Sequence, residues 1–342
     1  MNKIRNSNIE LLRIICMLMI LIQHADFWLM GYPQEHTLRA FGACTIEGFS
    51  IIAVNVFVLI SGYFGIKFNG IKILNLLFQC LFAVLPLSIF ALVIDKGSVL
   101  SNNSIYELLF PFRYWYVTAY IGLIILSPVL NTFIENTDKK KLLSVIILLS
   151  VLAFIFDTVF RETAEGVGFN GGYSTLWMVN LYFIGRFLKL YPLQKVTKKV
   201  ATWVVFGYVI LQGLLLFFHL TGTRYTNPLL LIGSIAFFLF FTHFSFSSKK
   251  VNWIAGSALM AYLFSMHPVV IKIYASYLHQ FDANHSLPVF LMLATILILA
   301  IFTVAILYDK IRIVVWKWIE PLCHKIVNIT NKLVEKCYSI IK

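Results

Sequence analysis

Residues 9–26 read Ile9-Glu10-Leu11-Leu12-Arg13-Ile14-Ile15-Cys16-Met17-Leu18-Met19-Ile20-Leu21-Ile22-Gln23-His24-Ala25-Asp26. The apolar run continues to Met30, and a bilayer core needs about 20 such residues per helix. It is too long for the apolar region of a signal peptide and ends without a small-residue cleavage site. It is expected to remain as a first membrane span. Yet it carries Glu10, Arg13, Gln23, His24 and Asp26, and ionisable groups inside a span are costly enough to point to function. Arg13 and His24 are eleven residues apart, about 1100° of helical rotation and roughly 16 Å of rise, so they share one face three turns apart. Glu10 precedes Arg13 by three residues, which allows an ion pair. A guanidinium at this place can hold an anionic ligand, and an imidazole can act as a general base or take up an acyl group itself. The alternatives are a snorkelling arginine and a histidine that packs the bundle.

The rest of the chain has the same character. Of 342 residues, 60% are hydrophobic and only 13% are charged, with 16% aromatic and 31 Phe. Soluble domains run at about 45–50% apolar and about 25% charged, so an ordinary soluble enzyme, a disordered chain and a disulfide scaffold are excluded. The five cysteines have no spacing that indicates a disulfide framework or a zinc site. Ten apolar runs fall at 9–30, 46–66, 71–94, 114–134, 141–160, 175–190, 200–220, 228–247, 254–278 and 287–308. None alternates as a membrane strand would, so the expected fold is all-α, a polytopic bundle of about ten spans. With a cytoplasmic N-terminus, 21 of the 28 Lys and Arg fall inside and five outside, which satisfies the positive-inside rule at every loop and puts both termini in the cytoplasm. The +13 net charge is thereby a membrane-surface signal, not a nucleic-acid one.

Two domains are expected, a membrane domain at 1–308 and a basic tail at 309–342. In the tail Val315, Ile319, Leu322, Ile326, Ile329 and Leu333 recur at helical spacing between lysines, with Pro321 near the start as a first-turn proline would be. This reads as an amphipathic helix on the inner leaflet, with a partner contact as the alternative. The glycine-rich segment from Arg161 to Ser174 reads as an outer connector or a flap.

Further polar positions stand out within the spans. Ser61-Gly62 in the second run permits close helix approach. Arg113-Tyr114-Trp115-Tyr116 opens the fourth run, where an aromatic belt is the plainer reading. Pro128 is positioned to kink that run. Arg186 supplies another cation at the inner end of the sixth run. His267-Pro268 breaks the hydrogen-bond ladder of the ninth, where a helix can open to a cavity.

Asn8-Ile9-Glu10-Leu11-Leu12-Arg13, ten residues and His24 resemble the first-helix signature of the membrane acyltransferase 3 family. Phe57-Val58-Leu59-Ile60-Ser61-Gly62 resembles its second motif, with Val58 in place of a Phe. Tyr114-Trp115-Tyr116, Gly185-Arg186 and Tyr262-Leu263-Phe264-Ser265-Met266-His267-Pro268 resemble further family positions, and the likeness runs from residue 8 to about 308. The resemblance implies O-acyl transfer, most often of acetyl, from cytoplasmic acyl-CoA to sugars of surface glycans at a bacterial inner or plasma membrane. It implies a catalytic role for His24 and donor handling by Arg13. On that basis Arg186, Ser61 and Gly62 are expected at the donor, with Glu10, Trp115, Tyr116 and His267 in support. Acetyl-CoA is the expected donor substrate, no metal or resident cofactor is expected, and the partners are the acyl-CoA, a glycan or lipid-linked sugar and membrane lipids. A flippase for lipid-linked sugars is the rival reading. A glycan polymerase ranks last because the outer loops are short.

Overall fold

The computed structural model describes residues 6–94, 114–160 and 167–341, and every described regular element is helical. The helices are α1 (Ser7–Gln23), continued by a π-helix (His24–Trp28), then α2 (Leu38–Ser50), α3 (Ala53–Phe64), α4 (Gly70–Ile94), α5 (Trp115–Glu135) and α6 (Lys139–Thr158). After these come α7 (Thr175–Leu190), α8 (Lys198–Phe217), α9 (Pro228–Thr242), α10 (Lys249–Ala255), α11 (Ala258–Ser265), α12 (Pro268–Asn284) and α13 (Leu287–Ile341). Starts are written in the sequence. Asp138, Ser174, Thr197 and Ser248 each accept a hydrogen bond from a backbone N–H in the first turn, and Asn227 does so ahead of Pro228.

Each of the ten apolar runs is helical. Seven of the helical stretches are long and apolar enough to cross a membrane. A bent pair, Lys249–Ser265 with Pro268–Asn284, makes an eighth candidate, broken by 81° at the His267-Pro268 step. The helices Pro228–Thr242 and Thr175–Leu190 are shorter, at 15 and 16 residues. The second run begins earlier than its hydropathy indicates, because Leu38–Phe64 forms one long apolar stretch that takes in Glu47. Cys44, which precedes the 46–66 run, is thus a buried helical residue. Pro128 lies within the continuous α5. Arg113, Lys96 and Arg161 lie outside the described residues, as do Lys3, Arg5, Lys342 and the first part of the glycine-rich segment, 161–166.

The tail departs from expectation. No second helix begins after Asp309. Instead α13 runs unbroken through 55 residues with Pro321 in its interior, not in a first turn. Asp309 and Arg312, read as the start of a surface tail, are buried against α4. Arg312 Nε donates to Asp309 Oδ1 at 2.7 Å, Gln79 donates to the same oxygen at 3.1 Å, and Arg312 Nη1 reaches Asn75 at 2.6 Å. A neutralised, fully hydrogen-bonded pair of this kind is what allows charge inside a bundle. Trp316 also packs on Phe78, so the helix stays on the body of the protein well beyond residue 309.

The core is largely apolar, yet it also holds polar side chains, and much of the exposed surface is apolar. Asn55, Asn180, Gln212 and His24 are buried, while Ile125, Val129, Ile147, Leu148, Trp203 and Ile296 are exposed. Around the core the helices approach closely. A Cβ on Gly62 would lie 2.4 Å from the Tyr182 carbonyl oxygen, and one on Gly185 the same distance from that of Leu59. Only glycine at both places lets α3 and α7 pack backbone to backbone. At the opposite side of α1, the Asn8 side chain donates to the Phe241 carbonyl at 2.8 Å and Ser7 to Asn252 at 2.8 Å, which pins the start of α1 to α9 and α10.

Candidate active site

With α1 anchored, its polar face is held against an internal cavity of about 520 Å³, within the 300–1,000 Å³ range of ligand pockets. Arg13 and His24 both line it. So do Ser61 on α3, Gln79 on α4, Trp115, Tyr116 and Tyr120 on α5, and Tyr262 on α11. The three-turn separation read from the sequence becomes two stations on one cavity wall.

At the Arg13 station, Nη1 donates to Glu10 at 3.1 Å, and it is the sole guanidinium nitrogen engaged among the described residues. A guanidinium has five N–H donors, so most remain for a ligand. Ser61 Oγ lies 3.1 Å from the Tyr120 hydroxyl, and Tyr120 stacks on Tyr116 with a 9° interplanar angle. Tyr116 meets Tyr262, and Tyr262 meets the His24 ring at 6.2 Å. An aromatic wall therefore connects the two stations.

His24 is 7% exposed and sits where α1 gives way to the π-helix. Such π-bulges are frequent at functional sites because the extra residue re-aims a side chain. The Ser265 hydroxyl donates its one proton to the Tyr262 carbonyl at 3.1 Å. The same oxygen lies a long 3.5 Å from His24 Nδ1, where the direction of the bond follows the imidazole tautomer. With the proton on Nδ1, Nε2 keeps its lone pair, the arrangement a general base needs.

Beyond His24 the cavity is lined by Trp28, Gln23 and Glu47, with Tyr173, Thr223 and Tyr225 from two loops. These loops are built, not free. Asp157, buried at the end of α6, accepts from Gly171 N at 3.0 Å and from the Thr226 hydroxyl, and Arg224 donates to its carbonyl. Tyr225 N also donates to Gly171 O at 2.9 Å. The described part of the glycine-rich segment is thereby clasped to the 224–226 loop. Burial raises the phenol pKa of Tyr173 and Tyr225, so both stay neutral hydrogen-bonding groups.

Four of the expected site residues are not on the cavity wall, Glu10, which pairs with Arg13 from behind it, being the first. Gly62 faces α7, where it serves close packing. Arg186 lies beside Gly65 at the end of α3, with its Nε buried and unbonded among the described residues. His267 is fully buried. It caps α12 by accepting from Val269 N, and its Nε2 is 3.1 Å from Ser88 Oγ. Its neighbour Met266 is the residue that reaches the cavity. Conversely, Glu47, Gln79, Tyr120, Tyr173 and Tyr225 were not singled out from the sequence. For Glu47 a signal existed, an acid at the edge of an apolar run. The loop tyrosines carry none, since only the clasp brings them inward.

A helical bundle with an apolar exterior and a cavity lined by both Arg13 and His24 defines a membrane protein with a pocket among its helices. The acyltransferase 3 family model, which describes an acyltransferase domain, matches residues 6–309. The chain belongs to the membrane acyltransferase 3 family and is an acyltransferase, a transferase of groups other than aminoacyl. Neither a curated protein nor a solved structure matches it.

Proposed function

We propose that the chain moves an acyl group, acetyl foremost, from cytoplasmic acyl-CoA to a sugar hydroxyl of a surface or exported polysaccharide or its lipid-linked precursor. The observation that carries this reading is the single cavity shared by Arg13 and His24. The ten helical runs are read as ten spans with both termini cytoplasmic, in a bacterial inner or plasma membrane. Arg13 then lies toward the cytoplasm and takes a phosphate of the donor by charge-assisted hydrogen bonds. Arg186, outside the cavity, serves as an auxiliary cation for the same ligand. The thioester extends along the Tyr120–Tyr116–Tyr262 wall toward His24.

At His24, Nε2 takes the proton of the acceptor hydroxyl as its oxygen attacks the thioester carbonyl. The new O–C bond forms, the C–S bond breaks, and the proton passes from the imidazolium to the departing thiolate. The covalent route differs in one respect. Nε2 attacks first, the C–S bond breaks to give an acyl-imidazolium and the CoA thiolate, and the hydroxyl oxygen then displaces the histidine while its proton passes to the thiolate. Both routes need the Nε2 lone pair.

Purified protein in nanodiscs with labelled acetyl-CoA and its host glycan tests the reading. Label should move to the glycan with wild-type protein and stay on CoA with His24→Ala. Undiminished glycan acetylation by His24→Ala at normal protein level would falsify the role of His24. A flippase, for which the 81° break is a common feature, would leave the thioester intact.

A further inference from the structure

Among the described residues, Glu47 is a costly buried group that the protein's own contacts leave unexplained. It is 2% exposed, it lines the cavity, and its Oε2 has no hydrogen bond among the described residues. No ion pair among the described residues includes it. A buried acid costs several kcal/mol to ionise and, when neutral, still leaves its carboxyl oxygens needing hydrogen bonds, which a ligand can complete. Nor is it free to move away. The Tyr208 hydroxyl donates to Gly48 O at 2.6 Å, and a Cβ on Gly213 would come within 2.8 Å of Thr45, so α2 is locked against α8 on either side of Glu47.

What shares the chamber with it narrows the ligand. Trp115 stacks on Tyr225 at 5.7 Å with a 28° interplanar angle, and Tyr173 packs edge-on to Trp115 at 4.6 Å. An aromatic face has a negative quadrupole and takes polarised C–H groups, while a carboxylate takes O–H groups. A ring with one face of C–H bonds and a rim of hydroxyls satisfies both at once, which is the build of a pyranose. On the acyl-transfer reading above, on which this rests, we infer that Glu47 is the acceptor-binding carboxylate. It accepts a hydrogen bond from one hydroxyl of a pyranose lying on the Trp115–Tyr225 platform, and so turns a different hydroxyl toward His24.

Variants at Glu47 test this because glutamine keeps the shape and one acceptor oxygen but replaces the other with an NH2 donor. In cells, Glu47→Gln should lower acetylation of the surface glycan about tenfold or more, since a site built to bond a hydroxyl is left mismatched. Glu47→Asp should restore part of it. Purified Glu47→Gln should bind acetyl-CoA by calorimetry with the wild-type dissociation constant. Wild-type glycan acetylation by Glu47→Gln overturns the inference. So does loss of acetyl-CoA binding, which would place Glu47 with the donor or the fold. A measurement on the wild-type protein is independent of variant folding. Methyl glycosides of glucose, galactose, mannose and N-acetylglucosamine should include one that saturably shifts the tryptophan emission, and Trp115→Phe should remove the shift. No saturable shift with any of them also overturns it. If wild-type protein binds no acetyl-CoA at all, the parent reading fails instead, and with it this one.

Discussion

At the scale of single residues, the role proposed for His24 turns on which ring nitrogen carries its proton. The Ser265 hydroxyl donates to the Tyr262 carbonyl, and an imidazole protonated on Nδ1 donates to it in turn and leaves Nε2 free. Removing the hydroxyl removes the partner of Nδ1 and leaves the imidazole in place. Ser265→Ala should lower kcat about tenfold, the worth of one hydrogen bond of about 1.4 kcal/mol, with little change in the KM for acetyl-CoA. Ser265→Thr should retain most activity. A wild-type kcat in Ser265→Ala would show that the tautomer is set elsewhere. Arg13 illustrates the opposite economy: Glu10 neutralises it at rest through Nη1 and leaves the remaining donors for a ligand.

At the scale of elements, the site depends on how helices meet. The α3–α7 contact is made by glycine on both sides, and a methyl group there meets backbone, which cannot swing away. Gly62→Ala should therefore cost about 1–3 kcal/mol, by the overpacking rule, and read out as a lower melting temperature in detergent. Because Ser61 is the adjacent residue and lines the cavity, the same variant should also displace it and raise the KM for the donor. An unchanged melting temperature would mean that the two helices can part freely. The His267-Pro268 break serves a related purpose. By ending α11 with an 81° bend, it lets Met266 and Tyr262 face the cavity while His267 caps the next helix.

At the scale of the whole molecule, the proposed orientation can be tested through the end of the long α13. Cys16, Cys44, Cys80 and Cys323 are buried, whereas Cys337 is exposed near the end of α13. A membrane-impermeant maleimide should leave intact cells unlabelled and modify Cys337 once the cytoplasmic face is opened. Labelling in intact cells would put the C-terminus outside and reverse the direction assigned to the cavity. The same helix ties the chamber to the periphery, since Gln79 lines the cavity and also donates to Asp309 within the Asp309–Arg312 pair.

Hydropathy alone determined that this is an all-helical membrane protein, because a bilayer demands long apolar runs whatever their partners. Helical periodicity alone put Arg13 and His24 on one face, since that is local geometry. The continuity of α13 through Pro321, the burial of Asp309 and Arg312, and the withdrawal of Gly62, Arg186 and His267 from the cavity wall were decided by packing between distant segments. Glu47, Tyr173 and Tyr225 became one chamber wall only when Asp157 drew two loops together and α8 held α2 in place. No local signal encodes those meetings, because the free energy that makes them comes from contacts between residues far apart in the chain.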